Sequence, residues 1–287
     1  MHRTPGTPKP HPTPHPTPDP LHLPRFDGRT AVVTGAARGI GQAIARGFAA
    51  GGAHVVIADL DAGAAASAAE EIAAEGGHSS FLGVDVTDSA QVASLVRHAV
   101  AAGGSLDILV NNAAITTTRI VEETDEAVWR KVLDVNLTGA FLCAKAALPV
   151  MRAQRYGKIV NIASVAAKRI SFNAGASYTA SKAGLVAFTR HLAYEAAPDG
   201  INVNAVCPGP VQTPMLAAVA DEETLRTRSR SIPRGRLSTP EDQAGAVLYL
   251  ASDHASMVCG QALDVDGGAL LGWYDPETYF RRRGAHR

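Results

Sequence analysis

The sequence predicts an α/β protein, a single doubly wound parallel sheet of seven strands with helices on both faces. Three observations carry that expectation. Seven short apolar runs recur along the chain, and stretches of helical length separate them, as the crossovers between parallel strands require. The first run passes directly into a glycine-rich turn and a helix. The chain is 46% hydrophobic but only 5% aromatic, so its core is built mostly from Ala, Val, Ile and Leu, which suits strands covered on both faces.

Taken in order, residues 1–24 are dominated by Pro, Thr and His and have no apolar period, which predicts an extended, disordered arm. His2, His11, His15 and His22 lie in it without the spacing of a closed metal site. One domain is expected over residues 25–272. Residues 30–34 form its first strand, 40–50 its first helix, 53–58 the second strand and 61–75 an Ala-rich helix. Further strands are expected at 80–86, 106–111, 158–163, 201–206 and 262–265. Helices are expected at 89–102, 126–155, 177–197 and 240–252. The connection 207–239 has no strong period and leaves the carboxyl end of a strand, so it is expected to form a flap over a substrate. Residues 273–287 complete the chain as a tail, with 270–274 packed at an interface or near a neighbour's pocket and 281–287 frayed.

The formal net charge is zero, and a nucleic-acid partner, which would want a basic excess, is not expected. Apolar runs stay short of the ~18 residues of a membrane span, and the N-terminus lacks the apolar core of a secretion signal. Cys143, Cys207 and Cys259 are odd in number and embedded in apolar runs, which predicts buried, reduced thiols and a cytoplasmic protein.

The turn after the first strand reads Thr34-Gly35-Ala36-Ala37-Arg38-Gly39-Ile40-Gly41. Glycines in such a strand–turn–helix context allow a tight turn, close approach to a pyrophosphate and close helix–strand packing, and the helix N-terminus supplies N–H groups to the phosphates. Asp59, at the end of the second strand, is the acidic residue that completes this Rossmann-type fingerprint. Its carboxylate can accept from ribose hydroxyls and would repel a 2′-phosphate, whereas Arg38 could pair with that phosphate. NAD is therefore expected ahead of NADP. Downstream, Tyr178 and Lys182 stand four apart on a predicted helix, so both heads share one face. A phenol has an ordinary pKa near ~10, and a neighbouring cation favours its ionised form.

With these residues the chain resembles the short-chain dehydrogenase/reductase family over residues 26–272. The matching elements are residues 34–41, Asp85-Val86, Asn111-Asn112-Ala113-Ala114, Asn136, Ser164, Tyr178 with Lys182, Pro208-Gly209 and Val265-Asp266-Gly267-Gly268. Ala114 departs from the glycine usual there. The likeness is nearest to the 3-oxoacyl-carrier-protein reductases and their alcohol-dehydrogenase relatives.

The resemblance implies an oxidoreductase that transfers hydride between a nicotinamide cofactor and a secondary alcohol or ketone. It implies Tyr178 as acid and base, Lys182 lowering its pKa, Ser164 holding the reacting oxygen and Asn136 anchoring a water beside Lys182. Gly35, Arg38, Gly39, Ile40, Gly41 and Asp59 would bind the cofactor, with Asp85, Val86, Asn112 and Ala113 on the adenosine side. Pro208, Gly209, Val211 and Thr213 would flank the nicotinamide. The resemblance also implies a homotetramer, to which the apolar Phe141, Leu142, Leu185, Phe188 and Leu192 add support, since a helix apolar beyond one stripe needs two buried faces.

The substrate pocket is expected at residues 115–119, 165–175 and the flap around Met215 and Leu216, with Phe172 at its edge. Arg119, Lys168 and Arg169 are cations there, open to an anionic substrate or to solvent alone. Two alternatives stand beside this reading: an NADPH-dependent 3-oxoacyl reductase, and a non-catalytic NAD-binding sensor, which loss of the tyrosine or lysine would mark.

Overall fold

A computed structural model describes residues 24–171, 174–218, 220–272 and 275–283. The expected arm, Phe172 and the aromatic pair of the 270–274 segment lie outside the described residues. All seven strands run parallel in one sheet, in the order β3-β2-β1-β4-β5-β6-β7. They are β1 Thr30–Thr34, β2 His54–Asp59, β3 His78–Gly83, β4 Ile108–Asn111, β5 Gly157–Ile162, β6 Ile201–Pro208 and β7 Ala262–Val265.

The strand order reverses between β1 and β4, and such a switch point opens a crevice beyond the carboxyl ends of the strands. Alternation along each strand sends neighbouring side chains to opposite faces. Ala31 and Val33 of β1 join one core, with α1 (Gly39–Ala50), α2 (Ala62–Ala74) and α9 (Pro240–Ala251). Val32 joins the other, with α3 (Ser89–Gly103), α5 (Gly139–Gln154) and α6 (Ala176–Ala196).

Four regions differ from the sequence expectation. Strand β3 begins at His78 and ends at Gly83, because its polar start pairs with β2 and the Ser79 hydroxyl donates to the Ala69 carbonyl (2.8 Å). The expected helix 126–155 is three pieces: α4 (Glu126–Leu133), a π-helical turn (Asp134–Thr138) and α5. Together Glu126–Gln154 is long and apolar enough to cross a bilayer, yet α5 packs on β4, β5, α3 and α6 and serves as a layer helix of this sheet.

The third difference is the flap, which holds α7 (Pro214–Ala217) and α8 (Glu222–Ser231). α8 is too polar to show an apolar period. It forms on its ends instead: Asp221 caps it by accepting from Thr224 N–H (2.8 Å), Glu222 and Glu223 fill the first turn, and Arg228 and Arg230 the last. A small cluster of Ile232, Leu237 and Ala269, with Leu216 and Leu225 against it, fixes the flap to the turn after β7. Past that turn, α10 (Pro276–Arg282) stands where the sequence suggested a tail frayed from residue 281.

Candidate active site

A cavity of about 820 Å³ opens at the carboxyl ends of the strands. Its floor includes Ser164, Tyr178, Lys182, Pro208 and Gly209, and α7 and α8 supply the opposite wall. Ile40 and Asn112 border it on the side of the glycine loop.

Tyr178 and Lys182 lie one turn apart on α6, with the lysine Nζ 5.6 Å from the centroid of the tyrosine ring. Lys182 is 2% exposed and donates to the Ile162 carbonyl at the end of β5 (2.7 Å). Burial pushes its ammonium down to about 8. Burial also raises the Tyr178 phenol, and a hydrogen bond with Ser164 opposes the rise. Desolvation is thus the largest influence on the phenol, and Lys182 Nζ stands near enough to favour its ionised form. Ser164 has a second task. It caps the short turn Val165–Ala167 by accepting from Ala166 N–H (3.0 Å).

Asn136 occupies the π-helical turn, closed by Gly139 N–H donating to the Asp134 carbonyl five residues back. Such turns insert one residue into a helix and recur at functional sites. The widening places a 1% exposed amide against the loop after β4: Nδ2 donates to the Ile115 carbonyl (2.9 Å) and to Ser181 Oγ (3.1 Å), and Oδ1 accepts from Ile115 N–H (2.8 Å). Ser181 donates in turn to the Tyr178 carbonyl (2.7 Å). Asn136 therefore couples the pocket loop to the helix that carries Tyr178 and Lys182.

The glycine loop has the form of a dinucleotide cradle. Gly35 and Gly39 have positive φ (61° and 60°). A Cβ at Gly41 would stand 2.3 Å from the Gly35 carbonyl oxygen, and one at Gly35 would stand 2.8 Å from Ala113 Cα. α1 starts at this loop with no side-chain cap and no acidic residue in its first turn. Its first N–H groups and partial positive charge are thus left to favour an anion. These observations fit the pyrophosphate of a nicotinamide dinucleotide.

The remaining predicted residues surround that loop. Asp59 accepts from Ala37 N–H (3.1 Å) and Asp61 N–H (3.2 Å), which ties the end of β2 to the loop. Arg38 leans toward Asp61 (3.8 Å) and is largely exposed. Asn112 Nδ2 donates to the carbonyls of Thr34 and Gly35 (2.9 and 2.8 Å), and Ala113 N–H donates to Thr34 Oγ1 (3.1 Å). The pair therefore braces the loop, and the Asn112 amide is committed to backbone. Asp85 accepts from Thr87 N–H and Oγ1, and Val86 packs where a Cβ on Gly139 would intrude.

On the other flank, Val211 bridges to Ser238, and Thr213 caps α7 and sits beside Gly39. Gly209 owes its lack of a side chain to Asp266, whose Cα would lie 2.8 Å from an added Cβ. Gly267 and Gly268 likewise receive Ile232 and Pro233 at the end of the flap.

Sequence reasoning missed two groups. One is a buried polar rail beneath the site: Asn111 Nδ2 to Asn161 Oδ1 (2.8 Å), Asn161 Nδ2 to Thr189 Oγ1 (2.9 Å), and Thr189 to the Leu185 carbonyl (2.8 Å). Asn161, in the apolar run of β5, was its visible sign. The other is Arg228 on α8, which lines the cavity. Among the described residues no cluster of His, Cys, Asp and Glu could hold a metal ion.

Comparison with known proteins accords with this geometry. Residues 35–269 match a family model described as enoyl-(acyl carrier protein) reductase. Over 244 residues the chain is 45% identical to cis-4-hydroxycyclohexanecarboxylate dehydrogenase of Sinomonas cyclohexanicum, covering 85% of this chain and 97% of that one. It is 38% identical to 3-oxoacyl-[acyl-carrier-protein] reductase of Escherichia coli over 246 residues, 86% and 99% of the two chains. A crystal structure assigned as an NAD(P)-dependent gluconate 5-dehydrogenase of Beutenbergia cavernae, with NADP bound at low occupancy, superposes with a TM-score of 0.82 at 43% identity, covering 86% of this chain and 99% of that one. The chain belongs to the short-chain dehydrogenase/reductase family, oxidoreductases that act on alcohols and ketones with a nicotinamide cofactor.

Proposed function

We propose that the protein is an NAD-dependent dehydrogenase of a secondary alcohol, working through Tyr178, Ser164, Lys182 and Asn136. The observation that carries the proposal is the meeting of Tyr178, Ser164 and Lys182 in one cavity that borders the glycine loop at the switch point of the sheet. When bound, the nicotinamide supplies the hydride acceptor. Ser164 donates to the alcohol oxygen, and Tyr178, as phenolate, removes its proton. In the reverse direction the phenol returns that proton to the carbonyl oxygen.

The Lys182 ammonium stabilises the phenolate once it forms, and Asn136 holds the loop and helix in register. Gly35, Gly39, Gly41 and the α1 N-terminus would take the pyrophosphate, and Asp85, Val86, Ala113, Pro208, Val211 and Thr213 the rest of the cofactor groove. NAD is favoured because Asp59 Oδ2 accepts from Ala37 N–H of the glycine loop, so a 2′-phosphate there would meet a carboxylate at close range. Arg38 and the NADP-bound relative speak for the alternative. A homotetramer in the cytoplasm is part of the proposal. Supporting it, Phe141 of α5 and Tyr194 of α6 are 43% and 88% exposed on helices whose other faces are in the core.

The test is a screen of the purified protein with NAD and NADP in parallel, following absorbance of the reduced nicotinamide. The panel includes a hydroxycyclohexanecarboxylate, gluconate, a 3-oxoacyl thioester and neutral cyclic alcohols. Tight NAD binding without turnover of any of them would leave a sensor in place of an enzyme.

A further inference from the structure

The cavity carries charges that the acid–base reading does not use. Of the three cations singled out in the sequence, Lys168 is taken by Asp264 (2.6 Å) and the Ala262 carbonyl (3.1 Å), and Arg119 is not part of the cavity wall. Arg169 does line it, and the flap brings a second guanidinium, Arg228 of α8, to the same cavity.

Arg169 is anchored by one donor to the Ala269 carbonyl (2.7 Å), in the turn after β7 that also seats the flap. A guanidinium has five N–H donors in a rigid fork. Arg228 is half-buried, and burial together with the charge of Arg169 lowers its pKa. Two like charges lining one cavity repel, and a shared anion relieves that repulsion. Glu223, one carboxylate on the outer turns of α8, also reaches the cavity and offsets part of this charge.

Apolar Val165, Ala166, Leu216 and Ile232 line the same cavity. Burial grades the cavity. Lys182, Val165 and Ile232 are buried, whereas Arg169, Glu223 and Thr227 are exposed. The cavity thus grades from a buried floor with Lys182, Val165 and Ile232, through half-buried Arg228, to an exposed rim with Arg169.

We propose that the substrate is a hydroxy acid or its oxo counterpart, with an apolar body and its carboxylate on Arg169 and Arg228, at the opposite end from the hydroxyl that Tyr178 addresses. This rests on the oxidoreductase reading above for the reacting end only. The carboxylate end follows from the two arginines and the apolar residues of the same cavity. Arg169 and Arg228 are then the residues that set specificity for acids over neutral alcohols.

The experiment uses probes that cannot react. Cyclohexanecarboxylate and cyclohexanecarboxamide have a compact apolar ring and no hydroxyl, so their binding to the NAD-saturated protein, measured by calorimetry, does not depend on turnover. The acid is expected to bind about tenfold or more tighter than the amide, with a preference that shrinks as salt rises. Arg228→Gln should reduce the acid-to-amide ratio to near one. Glu223→Gln should move the same ratio the other way by a few fold, a readout that disruption of α8 would not produce. Equal binding of acid and amide by the wild-type protein overturns the proposal, as does an unchanged ratio in folded Arg228→Gln. Acid-selective binding without turnover of any hydroxy acid would remove the oxidoreductase reading and leave this site. Turnover of neutral cyclohexanol at the efficiency of its carboxylated analogue would do the reverse.

Discussion

The molecule contains two tyrosine–lysine pairs, one at each end of its sheet, with Tyr156 and both lysines buried and Tyr178 half-buried against the cavity. At the carboxyl end Lys182 Nζ lies 5.6 Å from the Tyr178 ring centroid; at the amino end Lys158 Nζ lies 5.5 Å from that of Tyr156. In both pairs burial raises the phenol and lowers the ammonium.

What differs is the third partner. Tyr156 donates to Asp253 (3.0 Å), and that carboxylate adds to desolvation in holding the phenol neutral while it steadies the charge on Lys158. Lys158 is tied further to Asn202 (2.8 Å), and Arg29 stacks 3.8 Å over the Tyr156 ring while pairing with Asp107 (3.1 Å). Tyr178 meets a serine hydroxyl instead, and Lys182 a backbone carbonyl. With no carboxylate in the set, desolvation alone raises the Tyr178 phenol, and the Ser164 hydroxyl opposes that rise. The same two residue types make a structural clamp at one end and, on the function proposed above, an acid–base pair at the other.

The largest expected effect separates the two pairs directly. Tyr178→Phe should lower kcat by on the order of 10²–10⁴ while NAD affinity, measured by titration, is retained. A variant that keeps its turnover would mean that the two tyrosines do not differ in kind.

The next effect is on stability and has a sign. The Lys182 ammonium, lowered to about 8 in the folded chain from an ordinary 10.5, makes the fold less stable wherever the unfolded lysine is still protonated. That cost is full below about pH 8 and is lifted as the pH climbs toward 10.5. Lys182→Met should therefore gain on the wild type by on the order of 3 kcal/mol more at pH 7 than at pH 10.5, read from urea midpoints. A difference between the two proteins that stays constant across this range would show that Lys182 is not desolvated.

The smallest effect belongs to the amino end. Tyr156→Phe should cost about 0.5–1.5 kcal/mol in stability, as the half-exposed Asp253 loses one donor but keeps Arg29 and Lys158 near it, and leave kcat unchanged. A drop in turnover there would tie the clamp to the site and dissolve the distinction.

The carboxyl-end site was largely legible in the sequence because its parts are local. The glycine loop, Asp59 at a strand end and the four-residue spacing of Tyr178 and Lys182 each follow from one element and its termini. The amino-end clamp was not, because Tyr156 and Asp253 are 97 residues apart and only the sheet brings them together. α8 was invisible to an apolar period, its signal residing in the order of its charges, and Arg228 went unnoticed with it. Asn112 was visible as a residue but not in its task, since its partners are backbone carbonyls that no side-chain pattern announces.

The wide turn at Asp134–Thr138 has a consequence for chain length. A helix advances about 100° per residue, so the one extra residue sets α4 and α5 out of phase by that angle. Removing any single residue here would let the two fuse into one regular helix with its backbone bonds intact. The fusion would swing the amide of Asn136 away from Ile115 and Ser181 and turn one flank of the helix layer against its neighbours. A change that a helix-content measurement would hardly register would therefore erase the register of the site, making this short segment far less tolerant of insertion or deletion than its helical composition suggests.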